Sequence, residues 1–141
     1  MTRISFYLLK SQQQQDRQVF ACRLIEKAYT QGNQIYIHTD SAEQTEEVDQ
    51  LLWSFRADSF LPHQTMSDQN PARCPILIGH DAEPPRLMNL LINLSPEQPL
   101  FFSQFERVAE IIDEDQDRKV QGRERYRFYQ QRGYQLDTHK L

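Results

Sequence analysis

Short apolar runs alternate with longer segments of helical period along this chain. Residues 3–9 (RISFYLL) are apolar and aromatic and predict a first strand. Over 13–31, Val19, Phe20, Cys22, Leu24, Ile25 and Ala28 recur at helical spacing, and Gly32 supplies a stop. Residues 34–38 (QIYIH) predict a second strand. Thr39-Asp40-Ser41, with Glu43 close behind, predicts a helix start, and Val48, Leu51, Leu52 and Phe55 give a helix over about 41–55 one apolar stripe. Residues 57–74, with Pro62, Ser67, Asn70 and Pro71, are expected to be a loop carrying Phe60, Leu61 and His63. Strands follow at 75–79 and about 88–94, separated by a loop from His80 to Pro85. Pro96 and Pro99 then break the chain. Val108, Ile111 and Ile112 fit a fifth strand over 107–112, or else the end of a helix through 102–112. Asp113-Glu114-Asp115 suits the start of a last helix, which Gly133 ends.

This alternation predicts an α/β sandwich with a mostly parallel central sheet of about five strands flanked by helices, in one domain over 1–141. The 141 residues, 38% hydrophobic and 26% charged, are enough to bury a core. No apolar run approaches the ~20 residues that span a bilayer, and the opening MTRISFYLLK has no small-residue cleavage site, so neither anchor nor signal peptide is expected. Cys22 and Cys74 adjoin apolar segments and fit buried thiols in a reducing cytosol.

A sheet of this kind often binds nucleotides, but the required residues are missing. The four glycines are Gly32, Gly79, Gly122 and Gly133, and none follows the first strand, where a dinucleotide fold needs close backbone approach to pyrophosphate. There is no GxxxxGK[ST] loop and no GxSxG elbow. His38, His63, His80 and His139 are scattered, and the cysteines form no CxxC pair, so no metal or cofactor is expected. His38 and His80 each end a predicted strand. Such a histidine can face a site, though a backbone-bonded strand end is the commoner arrangement. A nucleotide-dependent or hydrolytic enzyme on the same sheet would need a phosphate loop or a catalytic pair.

One segment departs from the acidic whole. Arg118 to Arg132 (RKVQGRERYRFYQQR) carries six of the sixteen Lys and Arg residues and one acid, Glu124, in a chain of net charge -4. At ~100° per residue Lys119, Arg123, Tyr126 and Gln130 share a narrow face with Arg127 at its edge, while Val120 and Phe128 point elsewhere, toward the core. Arginine binds carboxylate through a forked pair of hydrogen bonds, and tyrosine adds rigid amphipathic area. The face therefore suits an acidic peptide with a terminal carboxylate; a solvated helix face with incidental arginines is the other reading. Direct binding of single-stranded DNA by Arg and Tyr stacking is a further possibility, against which the acidic net charge speaks. Trp53 has mostly polar neighbours one turn away (Asp49, Gln50, Arg56, Ala57). That fits either an exposed anchor or burial under the following loop.

Three segments at their separations, SFYLL near the start, LLWSFRADSFLPH at 51–63 and GRERYRFYQQRGYQL at 122–136, resemble the chi subunit family of bacterial DNA polymerase III holoenzyme. The resemblance covers nearly the whole chain. It implies a Rossmann-like α/β fold without a nucleotide site, in a non-catalytic subunit of the clamp-loader assembly. It also implies pairing with the psi subunit and binding of the acidic, hydrophobic-ended C-terminal tail of single-stranded DNA-binding protein. Nucleic acid would be met mainly through that protein, in the cytoplasm at the replication fork, with no cofactor, membrane or small-molecule substrate.

By the same resemblance, Arg123 and Tyr126 match the family's key basic and aromatic tail-binding positions. Arg127 stands where the family can have a lysine, and Lys119 matches a basic position one turn earlier. Trp53 and Phe60 match apolar positions of the tail pocket, and Ile112 a small apolar wall position.

Overall fold

The computed structural model describes residues 1–68 and 70–141. Among them, seven strands form one open sheet: β1 (Arg3–Leu8), β2 (Ile35–His38), β3 (His63–Thr65), β4 (Ile76–Gly79), β5 (Leu90–Asn93), β6 (Arg107–Ile112) and β7 (Gln135–Lys140). Their spatial order is β3-β4-β2-β5-β6-β1-β7, and every pair is parallel. Three α-helices flank it: α1 (Gln14–Thr30), α2 (Ala42–Ser54) and α3 (Gln116–Gln131). Of the two readings open at 102–112 the strand is correct, preceded by a single 3₁₀ turn at Phe102–Gln104. None of these helices is long and apolar enough to cross a membrane.

The strand register sorts side chains onto two faces. Ile35, Ile37, Ile76, Ile78, Leu90, Ile92, Ala109 and Ile111 pack beneath Ala21, Cys22 and Ile25 of α1 and Val48 and Leu52 of α2. Ile4, Phe6, Tyr36, Leu77, Leu91, Val108 and Ile112 point the other way, toward α3 and the aromatic loop residues Phe102 and Phe105. Burial on both faces is why β2, β4 and β5 read as unbroken apolar runs. Both cysteines are free and buried.

The helix ends follow local chemistry. Ser41 caps α2 by accepting the Gln44 backbone N–H, and Asp115 caps α3 by accepting that of Arg118. The N–H of Tyr134 returns to the Tyr129 carbonyl at 3.2 Å across Gly133, whose φ of +80° closes α3 and turns the chain into β7.

Two strands escaped the sequence pattern. Within the expected 57–74 loop lie β3 and a 3₁₀ turn at Pro71–Arg73; Gln69 of that loop lies outside the described residues. β3 has only three residues, too few for a period, and is held by its register to β4. β7 is a polar edge strand, mostly exposed, with no apolar alternation to betray it. Hence seven strands stand where about five were expected. The inward face of α3 also differs from expectation. Gly122, Arg125 and Tyr129 are its buried positions, Val120 is 48% exposed and Phe128 is half-buried. A small residue, a paired arginine and a tyrosine do not register as a core stripe.

Candidate peptide-binding cleft on the third helix

α3 lies over β6, β1 and β7 and leaves a cleft of about 240 Å³ along its side. Phe6, Leu8 and Thr138 form its floor, Ile112 and Gly122 its wall, and Lys119, Arg123 and Tyr126 its rim. The floor follows from register, because Phe6 pairs with Thr138 and Leu8 with Ile112, which puts these side chains on one face. Tyr126 stands edge-on to Phe6, ring centroids 5.2 Å apart, so its ring is fixed.

The rim cations are not equivalent. The Lys119 ammonium is held by Glu114 at 2.8 Å. Arg123 is exposed and, among the described residues, has no hydrogen-bond or ion-pair partner. The acidic run 113–115 is largely self-neutralised: Asp113 pairs with Arg118 at 2.7 Å, and Asp115 serves as the helix cap. Burial would raise the Asp113 carboxyl, but the hydrogen bonds and charge of Arg118 outweigh it and hold it below its ordinary value.

Behind α3 lies a buried polar layer. Glu110 is fully buried and accepts from Arg125 Nε at 2.9 Å, Tyr129 OH at 2.8 Å and Asn93 Nδ2 at 3.0 Å. Burial, and then the Glu110 charge, push the Tyr129 phenol far above its ordinary range, so it stays a donor. This layer fixes the axial position of α3, and with it the rim.

The structure therefore brings Ile112, Lys119, Arg123 and Tyr126 together. Arg127 is exposed on the outer side of α3 and does not line the cleft. Trp53 and Phe60 lie on the other face, where α2 meets the β3 edge. They are 52% and 73% exposed, and the Trp53 ring packs on Phe60 at 5.9 Å and on His63 at 4.5 Å. His63 is anchored beneath by the Leu61 and Asp49 carbonyls. Of the other cleft residues, Phe6 and Leu8 fall in the apolar run expected as the first strand, which did not mark them as part of a site, and Thr138 and Gly122 carried no signal. His38 departs from the backbone-bonded strand end. It is buried, and its Nδ1 has no partner. His80 Nδ1 faces Thr45 Oγ1 at 3.4 Å.

The family model described as DNA polymerase III chi subunit, HolC, matches residues 1–137. The chain belongs to that family. The DNA polymerase III subunit chi of Pseudomonas aeruginosa is 40% identical over 141 residues, covering 100% of this chain and 98% of that protein. That of Haemophilus influenzae is 28% identical over 137 residues, 96% of this chain and 95% of the relative. That of Escherichia coli is 24% identical over 143 residues, 98% and 97% respectively. The match takes in β3 and the first three residues of β7, so the chi family's span reaches both strands that the sequence pattern left out.

Proposed function

We propose that this chi-family chain is a non-catalytic adaptor of the DNA polymerase III clamp-loader assembly, working in the cytoplasm at the replication fork. In this reading the α3 cleft takes the acidic C-terminal tail of single-stranded DNA-binding protein and so links the polymerase to coated template. The observation that carries it is the free guanidinium of Arg123 beside an apolar cleft closed by Tyr126 and Ile112. Arg123 holds the terminal carboxylate; Tyr126, Ile112, Phe6 and Leu8 receive the hydrophobic end. Lys119 and Arg127 steer the upstream acids, a contribution that salt weakens.

The psi subunit takes the other surface. Trp53 and Phe60 form an exposed aromatic pair, and the neighbouring Arg56 is engaged by Glu26 at 3.2 Å, the composition of an interface anchor more than of a carboxylate site. The two assignments separate experimentally. Fluorescence anisotropy with a labelled tail peptide should show saturable, salt-sensitive binding that Arg123→Ala weakens roughly ten-fold (about 1.4 kcal/mol). Trp53→Ala should leave that binding intact and weaken capture of psi. A tail peptide that binds Arg123→Ala as well as the intact chain would remove the carboxylate assignment.

A further inference from the structure

A second cleft, of about 200 Å³, opens at the carboxyl ends of β5 and β6, between the first turns of α1 and α3. Three guanidinium groups line it: Arg17, Arg118 and Arg125. Arg118 is paired with Asp113 and Arg125 with Glu110. Arg17 is only 2% exposed, yet its partners are neutral oxygens: the Ile111 carbonyl at 2.8 Å, the Leu94 carbonyl at 3.2 Å and Gln14 Oε1 at 3.2 Å. Among the described residues no carboxylate lies within ion-pair distance of it. Asp113 and, at 3.9 Å, Asp115 both serve Arg118 and Glu110 serves Arg125, so of the three cations Arg17 alone has no carboxylate in contact among the described residues.

We infer that this strand-end cleft is a binding site for a small oxyanion of the phosphate class. A buried cation without a counter-ion is costly, and the usual resolution is an anion in contact. Burial, and then the nearby charges of Arg125 and Arg118, lower Arg17 to about 10, the direction an unmatched cation takes. Arg17 commits three of its five N–H donors and Arg125 leaves its Nη2 group free, so donors remain for an oxyanion. Gln121 and Ser95 line the same space.

The position matters too. Open α/β sheets bind ligands beyond the carboxyl ends of their strands, where the chain's crossovers part. Here β1 leads through α1 to β2 on one side, and β6 leads through α3 to β7 on the other. Most such sites hold phosphate on the backbone N–H groups of a glycine-rich loop. This chain has no such loop, and arginine side chains stand in its place. The cleft is too small for a base and sugar, so any nucleoside attached to the phosphate lies outside it. The one acid at the opening, Asp40, is exposed.

The test is isothermal titration of the full chain with inorganic phosphate at an ionic strength held constant with chloride, with thermal melts in parallel. Saturable binding is expected, with the melting point raised several degrees at about ten times the dissociation constant. Two variants spare the buried groups. Gln121→Glu places a carboxylate in the cleft and should weaken phosphate about ten-fold or more, while Asp40→Asn should strengthen it roughly two- to three-fold. Comparing variants at equal phosphate removes the general stabilisation that such salts give. No saturable heat with the intact chain, or equal affinity in Gln121→Glu, overturns the site. A 5′-phosphorylated trinucleotide against its 5′-hydroxyl twin then separates the sources. Preference for the phosphorylated one assigns the cleft to a nucleic-acid end, and equal weakness of both assigns it to the free ion.

Discussion

Gly122 and Ile112 share one volume: a β-carbon on Gly122 would stand 2.6 Å from Ile112 Cδ1 and 3.1 Å from its Cγ1. The glycine is there for space and not for a left-handed backbone. Its absence of a side chain lets α3 settle against β6 and lets Ile112 form the cleft wall.

Gly122→Ala therefore sets two effects against each other. Alanine favours a helix interior by about 1 kcal/mol, while overpacking a buried, β-branched neighbour costs about 1–3 kcal/mol. A net loss of about 1 kcal/mol is expected in urea unfolding. The displaced Ile112 should also fill the cleft and weaken the tail peptide several-fold. Tail affinity unchanged by Gly122→Ala would remove Ile112 from the wall.

That pairing also shows what the sequence could and could not reveal. The parallel sheet core was legible because strands buried on both faces are apolar throughout, as in β2 and β4. Helix ends were legible because capping depends on local residues such as Ser41 and Gly133. β7 was not, because an exposed edge strand needs no apolar alternation. The inward face of α3 was hidden because its contacts are a vacancy at Gly122 and a buried ion pair at Arg125, neither of which a hydrophobic stripe reports. Trp53 and Phe60 stand close to the cleft residues in no sense that spacing along a chain could give. Which face of a sheet a helix covers is a property of the crossover.

Arg125 offers a second test. Its guanidinium joins the buried Glu110 to the Pro96 carbonyl. Arg125→Met keeps much of the volume but leaves a carboxylate buried without its cation, so a loss of about 3–5 kcal/mol is expected in chemical denaturation. Adding Glu110→Gln should recover part of that loss, because the orphaned charge goes with it. Equal destabilisation in the single and double variants would argue that packing, not charge, sets the cost.

Glu114 competes with any acidic ligand for Lys119. Both partners of the 2.8 Å pair are partly exposed, so the pair itself contributes less than about 1 kcal/mol. Glu114→Gln should free the ammonium and raise tail-peptide affinity about two- to five-fold at low salt, with the gain shrinking at high salt. Anisotropy at two ionic strengths reads this directly. A gain that persists at high salt would point to something other than the released charge.

The last prediction concerns acid stability. Burial, and then the neighbouring His80, pull His38 from 6.5 down to about 4, with Asp81 opposing them weakly. Phe101 closes its edge at 5.7 Å, and its Nδ1 is unpartnered. The folded chain therefore resists a proton that the unfolded chain accepts below about 6.5. The stabilisation is fully present above that pH, declines as pH falls between about 6.5 and 4, and levels off below. Full linkage of this one group is worth about 3 kcal/mol. Asp113 is held below its ordinary carboxyl value, so its own contribution is lost only at lower pH. Urea unfolding followed from pH 7.5 to 4 should show the decline in the intact chain and a much flatter profile in His38→Gln. The same slope in both would mean that some other group takes up the proton.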